Sequence, residues 1–156
     1  MNSVQVDELI GLLQHYELSI ARLYESYASI LPDLKNEWLA FAKEERLHAQ
    51  WIDTLHIHLK NEKISFDQQK FTVQSIRLAI DYVKKQADQV VQNKPDFIQC
   101  LNTAVNIEKS LLESAFFKVF KLEGPKAQNI KNRLEKATQA HLDKLIQWRK
   151  DTMGND

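Results

Sequence analysis

Glu45-Arg46-Leu47-His48 lies at the centre of a stretch whose inward residues recur at steps of four and three: Leu34, Trp38, Phe41, Glu45, His48, Ile52, Leu55 and Leu59. That spacing is the buried seam of a long helix. A carboxylate and an imidazole on such a seam must be paired, protonated or bound to a cation, because an isolated ionised group away from water costs several kcal/mol. Glu-x-x-His also sets an oxygen and a nitrogen donor on adjacent turns of one helix face, as a metal ion requires. The four-residue motif alone is common on helix surfaces, and its place on the seam is what makes it informative.

Working outward, the preceding helix is expected from Val4 to Leu31, ended by Pro32, with Val6, Ile10, Leu13, Glu17, Ile20, Tyr24, Tyr27 and Leu31 on its seam. Asp33 reads as a cap for the next helix, which runs to Leu59. So short a turn makes the two helices antiparallel neighbours. Glu17 lies fifteen residues before Pro32 and His48 fifteen after Asp33, so the two meet at one depth. Glu25, flanked by Arg22 and Ser29, belongs to the solvated flank.

Asn61 to Lys70 reads as a loop, and Phe71, Val73, Ile76, Ala79, Ile80, Val83, Ala87, Val90 and Val91 mark an amphipathic helix without an ionisable group on its apolar side. About 22 helical residues span roughly 33 Å, enough to carry the chain from one end of a bundle to the other. A further helix is expected from Pro95 to Leu122 with Phe97, Leu101, Ala104, Glu108, Leu111 and Ala115 inward. After the Glu123-Gly124-Pro125 turn, the last helix faces inward with Ala127, Ile130, Leu134, Thr138, His141, Leu145 and Trp148. Glu108 stands sixteen residues before Gly124 and His141 sixteen after Pro125, again at equal depth. The tail Asp151 to Asp156 is expected to fray.

The composition supports an all-α chain forming a single domain over residues 1–156, with only three Gly and three Pro and abundant charged residues. Lys and Arg balance Asp and Glu at 21 each, so no net field favours nucleic acid or an anionic membrane. One cysteine, Cys100, excludes an internal disulfide framework and any Cys-x-x-Cys metal site. Neither a basic-then-apolar leader nor eighteen consecutive apolar residues occur, and the expected location is the cytoplasm. No Gly-rich phosphate loop and no nucleophile with a positioned base can be picked out, which leaves metal chemistry as the main enzymatic option.

Tyr16-Glu17 with Ala21 and Tyr24, Trp38-Leu39-Ala40, Glu45-Arg46-Leu47-His48, Ile107-Glu108 and His141 together resemble the ferritin-like, carboxylate-bridged dimetal proteins, most closely the rubrerythrin-like erythrin domain. That family pattern has one Glu on each of two helices and a Glu-x-x-His on each of the other two, with a long crossover. The resemblance implies a ferritin-like four-helix bundle of two antiparallel hairpins, with a helical crossover between helices two and three. It implies that Glu45 is a bridging carboxylate, Glu17 and Glu108 terminal ones, and His48 and His141 the imidazole ligands. It further implies one or two iron ions, with Mn or Zn as alternatives, and an oxidoreductase acting on peroxide or dioxygen. The electron donor would be a separate protein, since the chain lacks the four Cys of a rubrerythrin's own electron-delivery module. Bundles of this kind often form homodimers.

The last helix departs from the pattern, because Thr138 stands where the family has a fourth Glu, a second bridge. Four carboxylates neutralise two divalent ions, whereas Glu17, Glu45 and Glu108 leave one positive charge uncompensated in a low-dielectric core. A mononuclear or asymmetric site follows, or a helical module whose metal site has decayed into a binding or structural one. Glu135, one turn before Thr138, is offset from the seam. His15, His56 and His58 fall at or beyond the seam edges and read as surface residues. Tyr24, two turns after Glu17, packs in the core and could hydrogen-bond a ligating carboxylate.

Overall fold

The computed structural model describes residues 3–59, 64–66, 73–113, 120–122 and 124–154. Its elements are α1 (Ser3–Ile30), a 3-10 turn (Pro32–Leu34), α2 (Lys35–Leu59), β1 (Ile64–Phe66), α3 (Val73–Asn93), α4 (Phe97–Glu113), β2 (Phe120–Leu122) and α5 (Pro125–Met153). Pro32 starts the turn between α1 and α2, and Asp33 lies inside that turn rather than as a cap before the helix. Lys94, in the left-handed region at φ 43°, stops α3 ahead of Pro95. α4 then opens on a reciprocal capping box. The Gln99 N–H donates to Asp96 Oδ1 and the Asp96 N–H to Gln99 Oε1, both at 2.9 Å.

Cross-element contacts fix the helix directions. Glu25 pairs with Arg46 and Asp7 with His56, so α1 and α2 are antiparallel. Glu44 with Lys144 and Trp51 beneath Arg133 make α2 and α5 antiparallel, as Asn102 with Arg149 and Glu108 with His141 do for α4 and α5. Arg77 pairs with Glu8 while Lys84 and Asp88 border the same hollow as Ser19 and Arg22, so α3 runs parallel to α1 along its outer face. This is the expected crossover. It starts at the end where α2 finishes and returns the chain to the end where α4 begins. α3 buries Ile76, Ile80, Val83 and Val90, whereas Val91, expected inward, is exposed.

Two expectations are corrected. The helix read as Pro95 to Leu122 is helical only from Phe97 to Glu113 among the described residues. Phe120–Leu122 instead forms a strand paired antiparallel with Ile64–Phe66, Ser65 lying opposite Lys121. The Asn61–Lys70 loop therefore contains half of a two-stranded ribbon, which joins the crossover segment to the connection before α5. Short alternation such as Phe-Lys-Leu fits a strand as well as a helix end, and cross-strand pairing decides between them. The last helix also runs further than expected, since α5 continues through Asp151 to Met153 and stops at Gly154, φ 78°, and residues 155–156 lie outside the described residues. Phe71, Ala115 and the side chains of Leu59 and Leu111 lie outside the described residues.

One hydrophobic cluster runs through the helices, and an aromatic layer in it lies about two turns from the polar centre. Trp38 is fully buried, with Tyr27, Trp148 and Tyr24 ring centroids at 4.9, 5.1 and 5.4 Å. Its indole N–H has no hydrogen-bond partner, so Trp38 contributes by volume and ring contact alone. Trp38→Ala should cost about 3–5 kcal/mol in urea unfolding, and Trp38→Phe clearly less, because the phenyl ring keeps most contacts and removes the orphaned donor. A loss below about 1 kcal/mol for Trp38→Ala would show that this layer does not hold α1, α2 and α5 together.

Candidate metal centre

Each of the polar side chains expected inward arrives by the same local route: a heptad-like seam of apolar residues turns one helix face to the core, and the ionisable residue replaces one member of it. Glu17 on α1, Glu45 and His48 on α2, Glu108 on α4, and Thr138 and His141 on α5 are all buried. Seam neighbours a turn or two away, Leu13 and Ile20, Phe41 and Ile52, Ala104 and Leu101, Leu134 and Leu145, are buried with them, except that Phe41 sits at the boundary.

Glu45 stands at the middle. His48 Nδ1 lies 3.4 Å from Glu45 Oε2 and 3.8 Å from Glu17 Oε2. On the other side, His141 Nδ1 lies 2.5 Å from Glu45 Oε1 and 3.4 Å from Glu108 Oε1. The five residues thus form two half-sites that share one carboxylate, Glu17 with His48 and Glu108 with His141. Glu45, His48 and His141 offer donor atoms all within 4.8 Å of one another, a buried group able to hold a metal ion.

Both Glu45 oxygens, both inward Nδ1 atoms, Glu17 Oε2 and Glu108 Oε2 are buried without an aligned hydrogen bond. Donors bound to one ion at about 2.0–2.2 Å stand roughly 3–4 Å apart, and the 3.4 and 3.8 Å separations match that spacing. The 2.5 Å approach of His141 to Glu45 is a direct contact that an ion would have to widen. Orphaned lone pairs converging at chelating distances are what this donor set offers a cation, and buried polar groups without partners are otherwise rare.

Two neighbours orient the donors, and a third, Thr138, does not reach them. The Tyr24 hydroxyl donates to Glu108 Oε1 at 2.9 Å, so the expected contact to a carboxylate is made, across to α4 rather than within α1. Phe41 stacks on the His141 ring at 4.6 Å and fixes its plane. Thr138 is fully buried, but its hydroxyl donates back to Leu134 O at 2.9 Å, which satisfies it within its own helix and leaves no ligand at the position of the absent Glu.

Electrostatics without a cation follow from the geometry. Burial, then the Glu45 charge, pushes the Glu17 and Glu108 carboxyls well above the ordinary carboxylate range. Burial acts on Glu45 in the same direction, but its contacts with Glu17, His141 and His48 outweigh it and hold that carboxyl well below the range. Burial lowers the His48 value, yet Glu17 and Glu45 overcome this and raise it to about 10. Protonated Glu17 and Glu108 beside a Glu45 carboxylate and a His48 imidazolium give a neutral arrangement.

The remaining candidates resolve simply. Glu135 and His15 are exposed, His58 is half-buried, and His56 meets Asp7 at the surface. Glu25 is bound by Arg46 at 2.6 Å. Cys100 is buried, its thiol pushed up to about 12, chiefly by burial. Sequence reasoning missed Glu44, whose Oε2 lies 3.7 Å from His141 Nε2. Its half-exposed place beside the seam gave no sign of that contact, which depends on how closely α5 approaches α2. No described helix is long and apolar enough to cross a membrane. No protein-family model, curated protein or solved structure matches the chain.

The shifts set a pH dependence for the metal-stripped protein. Glu17 and Glu108, raised in the fold, contribute stability below the unfolded carboxylate range and lose it as pH climbs. His48 contributes below its unfolded value of 6.5 and loses its contribution as pH rises through about 10. Glu45, depressed, contributes above 4.5 and loses it as pH falls. The melting temperature should therefore decline from about pH 5 to about pH 10, and bound Zn(II), which needs these groups deprotonated, should flatten the slope. A melting temperature that rises through about pH 6.5 would mean that His48 is held neutral in the fold.

Proposed function

We propose that the protein is a ferritin-like, rubrerythrin-like metal-binding protein whose four main helices hold one or two iron ions and use them in redox chemistry on peroxide or dioxygen. The observation that carries this reading is the convergence of orphaned donors from α1, α2, α4 and α5 onto Glu45. Imidazole and carboxylate donors without thiolate suit iron, manganese or zinc. Bound iron would supply the electron transfer that no side chain in the site can.

The chain's own residues would do the rest. Glu45 spans the two half-sites through its two oxygens, with Glu17 and His48 closing one and Glu108 and His141 the other. Tyr24 holds Glu108 by Oε1, the oxygen 3.4 Å from His141 Nδ1, and Oε2 is buried without a partner among the described residues. Trp38, Phe41, Trp148 and Tyr27 close one end against water, and Leu13, Ile52 and Leu55 line the other. The single cysteine leaves reduction of the centre to a separate donor.

A second reading, a helical module acting as a binding or structural protein, is favoured by one specific observation. Thr138 satisfies itself on its own helix, and protonation of Glu17 and Glu108 beside the Glu45–His48 pair lets the centre exist without a cation.

Melting curves with Fe(II), Mn(II) and Zn(II), together with elemental analysis of protein purified without chelator, separate the two. Binding should stabilise the fold by about 2.7 kcal/mol at a hundredfold excess over Kd. Thr138→Glu should raise the metal content towards two ions per chain and speed peroxide-dependent oxidation of bound Fe(II). Unchanged melting with all three ions would leave the structural reading standing.

A further inference from the structure

Between α2 and α5 the surface opens into a cleft of about 240 Å³, where α5 contributes the small side chains of Ala137 and Ala140 beside His141 and Lys144. His48 and His141 line it, while the partly exposed Glu44 and Lys144 stand where it meets solvent. His141 is fully buried and its Nε2 has no hydrogen-bond partner among the described residues. Glu44 Oε2 lies 3.7 Å from that nitrogen, and Glu44 Oε1 accepts from Lys144 Nζ at 3.0 Å. Consecutive glutamates of α2 thus face opposite edges of one imidazole, Glu45 at Nδ1 and Glu44 at Nε2. Two donors holding one cation at about 2.0–2.2 Å stand roughly 3–4 Å apart, so the outer pair already has chelating separation.

We propose that Glu44 Oε2 and His141 Nε2 form an outer cation station in the α2–α5 cleft, through which a divalent ion reaches the inner Glu45–His48–His141 group. The inference rests on reading that inner group as a metal centre. The cleft touches two inner donors directly, whereas the hollow between α1 and α3, about 10 Å³, touches none. The end nearest the centre is closed by Trp38, Phe41 and Trp148. A neutral imidazole has one lone pair, so His141 serves the outer station or the inner group, not both at once, and the outer station is transient. Lys144 neutralises Glu44 at rest and must leave it for an ion to bind.

Metal-stripped protein mixed with Co(II) in a stopped-flow instrument gives the loading rate from the visible absorbance of the forming site, and elemental analysis gives the final content. Glu44→Gln removes the outer charge, and Ala140→Leu narrows the cleft at an exposed position. Both should load the parent's final Co(II) content at least about tenfold more slowly, a size ordinary for removing electrostatic capture. Lys144→Ala should load faster, and Asp143→Asn, an exposed carboxylate outside the cleft, should match the parent. Parent-like loading rates in Glu44→Gln or in Ala140→Leu overturn the proposal. A reduced final Co(II) content in Glu44→Gln also overturns it, by making Glu44 a ligand of the inner centre. If the parent takes up no Co(II), the metal-centre reading itself fails and the station falls with it.

Discussion

A fully buried carboxylate with no aligned hydrogen bond among the described residues, Glu45, sits between two imidazoles, and the surrounding structure depends on that arrangement being compensated. A buried ion pair broken on one side costs about 3–5 kcal/mol, because the remaining charge is left without a partner. Glu45 is held from α2, its partners come from α2 and α5, and the next carboxylates come from α1 and α4. One residue's electrostatics therefore link all four helices at one level. The apolar layers on either side supply most of the burial, but they would tolerate a shift of register along a helix. A shift of even one residue would carry an imidazole off the seam, so the polar centre fixes the register while the hydrophobic cluster supplies the cohesion.

That division explains what could be read from the sequence. Seam periodicity together with the two short connections placed Glu17, Glu45, His48, Glu108 and His141 at one depth, since rise per residue is nearly constant along a helix. The crossover carrying the chain from one end of the bundle to the other followed from helix length, whereas its run parallel to α1 is seen only in the structure. Phe120–Leu122 was misread because three residues carry too little periodicity to distinguish strand from helix, and their partner strand lies over fifty residues away. Val91 was misassigned by one position on a face where Val90 satisfies the same pattern. Glu44 was invisible because its contact is made across helices by a residue off the seam. Local rules locate a residue on its own helix, whereas contacts between flanks need the distance between helices.

Equal depth did not require the tight helical turn from which it was inferred. α4 is helical to Glu113 and the chain passes through β2 before α5 begins, yet Glu108 and His141 still meet at 3.4 Å. The ribbon of β1 and β2 ties the segment after α2 to the segment before α5, which closes the end of the fold away from the Pro32 turn. A hairpin turn and a strand-pinned connection are interchangeable here because the site constrains only the level at which the helices meet.

The two half-sites are not equivalent, and the difference bears on how the centre would hold one ion rather than two. On the His141 side, Phe41 fixes the ring, Tyr24 fixes Glu108 and Glu44 faces the outer nitrogen. On the His48 side, the described ring contacts are a tilted Trp51 at 5.7 Å and His141 itself. Neighbours that lock a ligand's rotamer raise affinity by reducing what must be ordered on binding. Thr138, on the helix that carries His141, supplies no charge to either half. With three carboxylates in all, a first divalent ion would displace the protons of this neutral centre and a second would meet only the charge left over, so filling would be stepwise. Rigidity then bears on the order in the proposed metal centre: the His141–Glu108 half is the better organised and would be the first to fill, and the looser His48–Glu17 half would be left to take a second ion or to keep its protons.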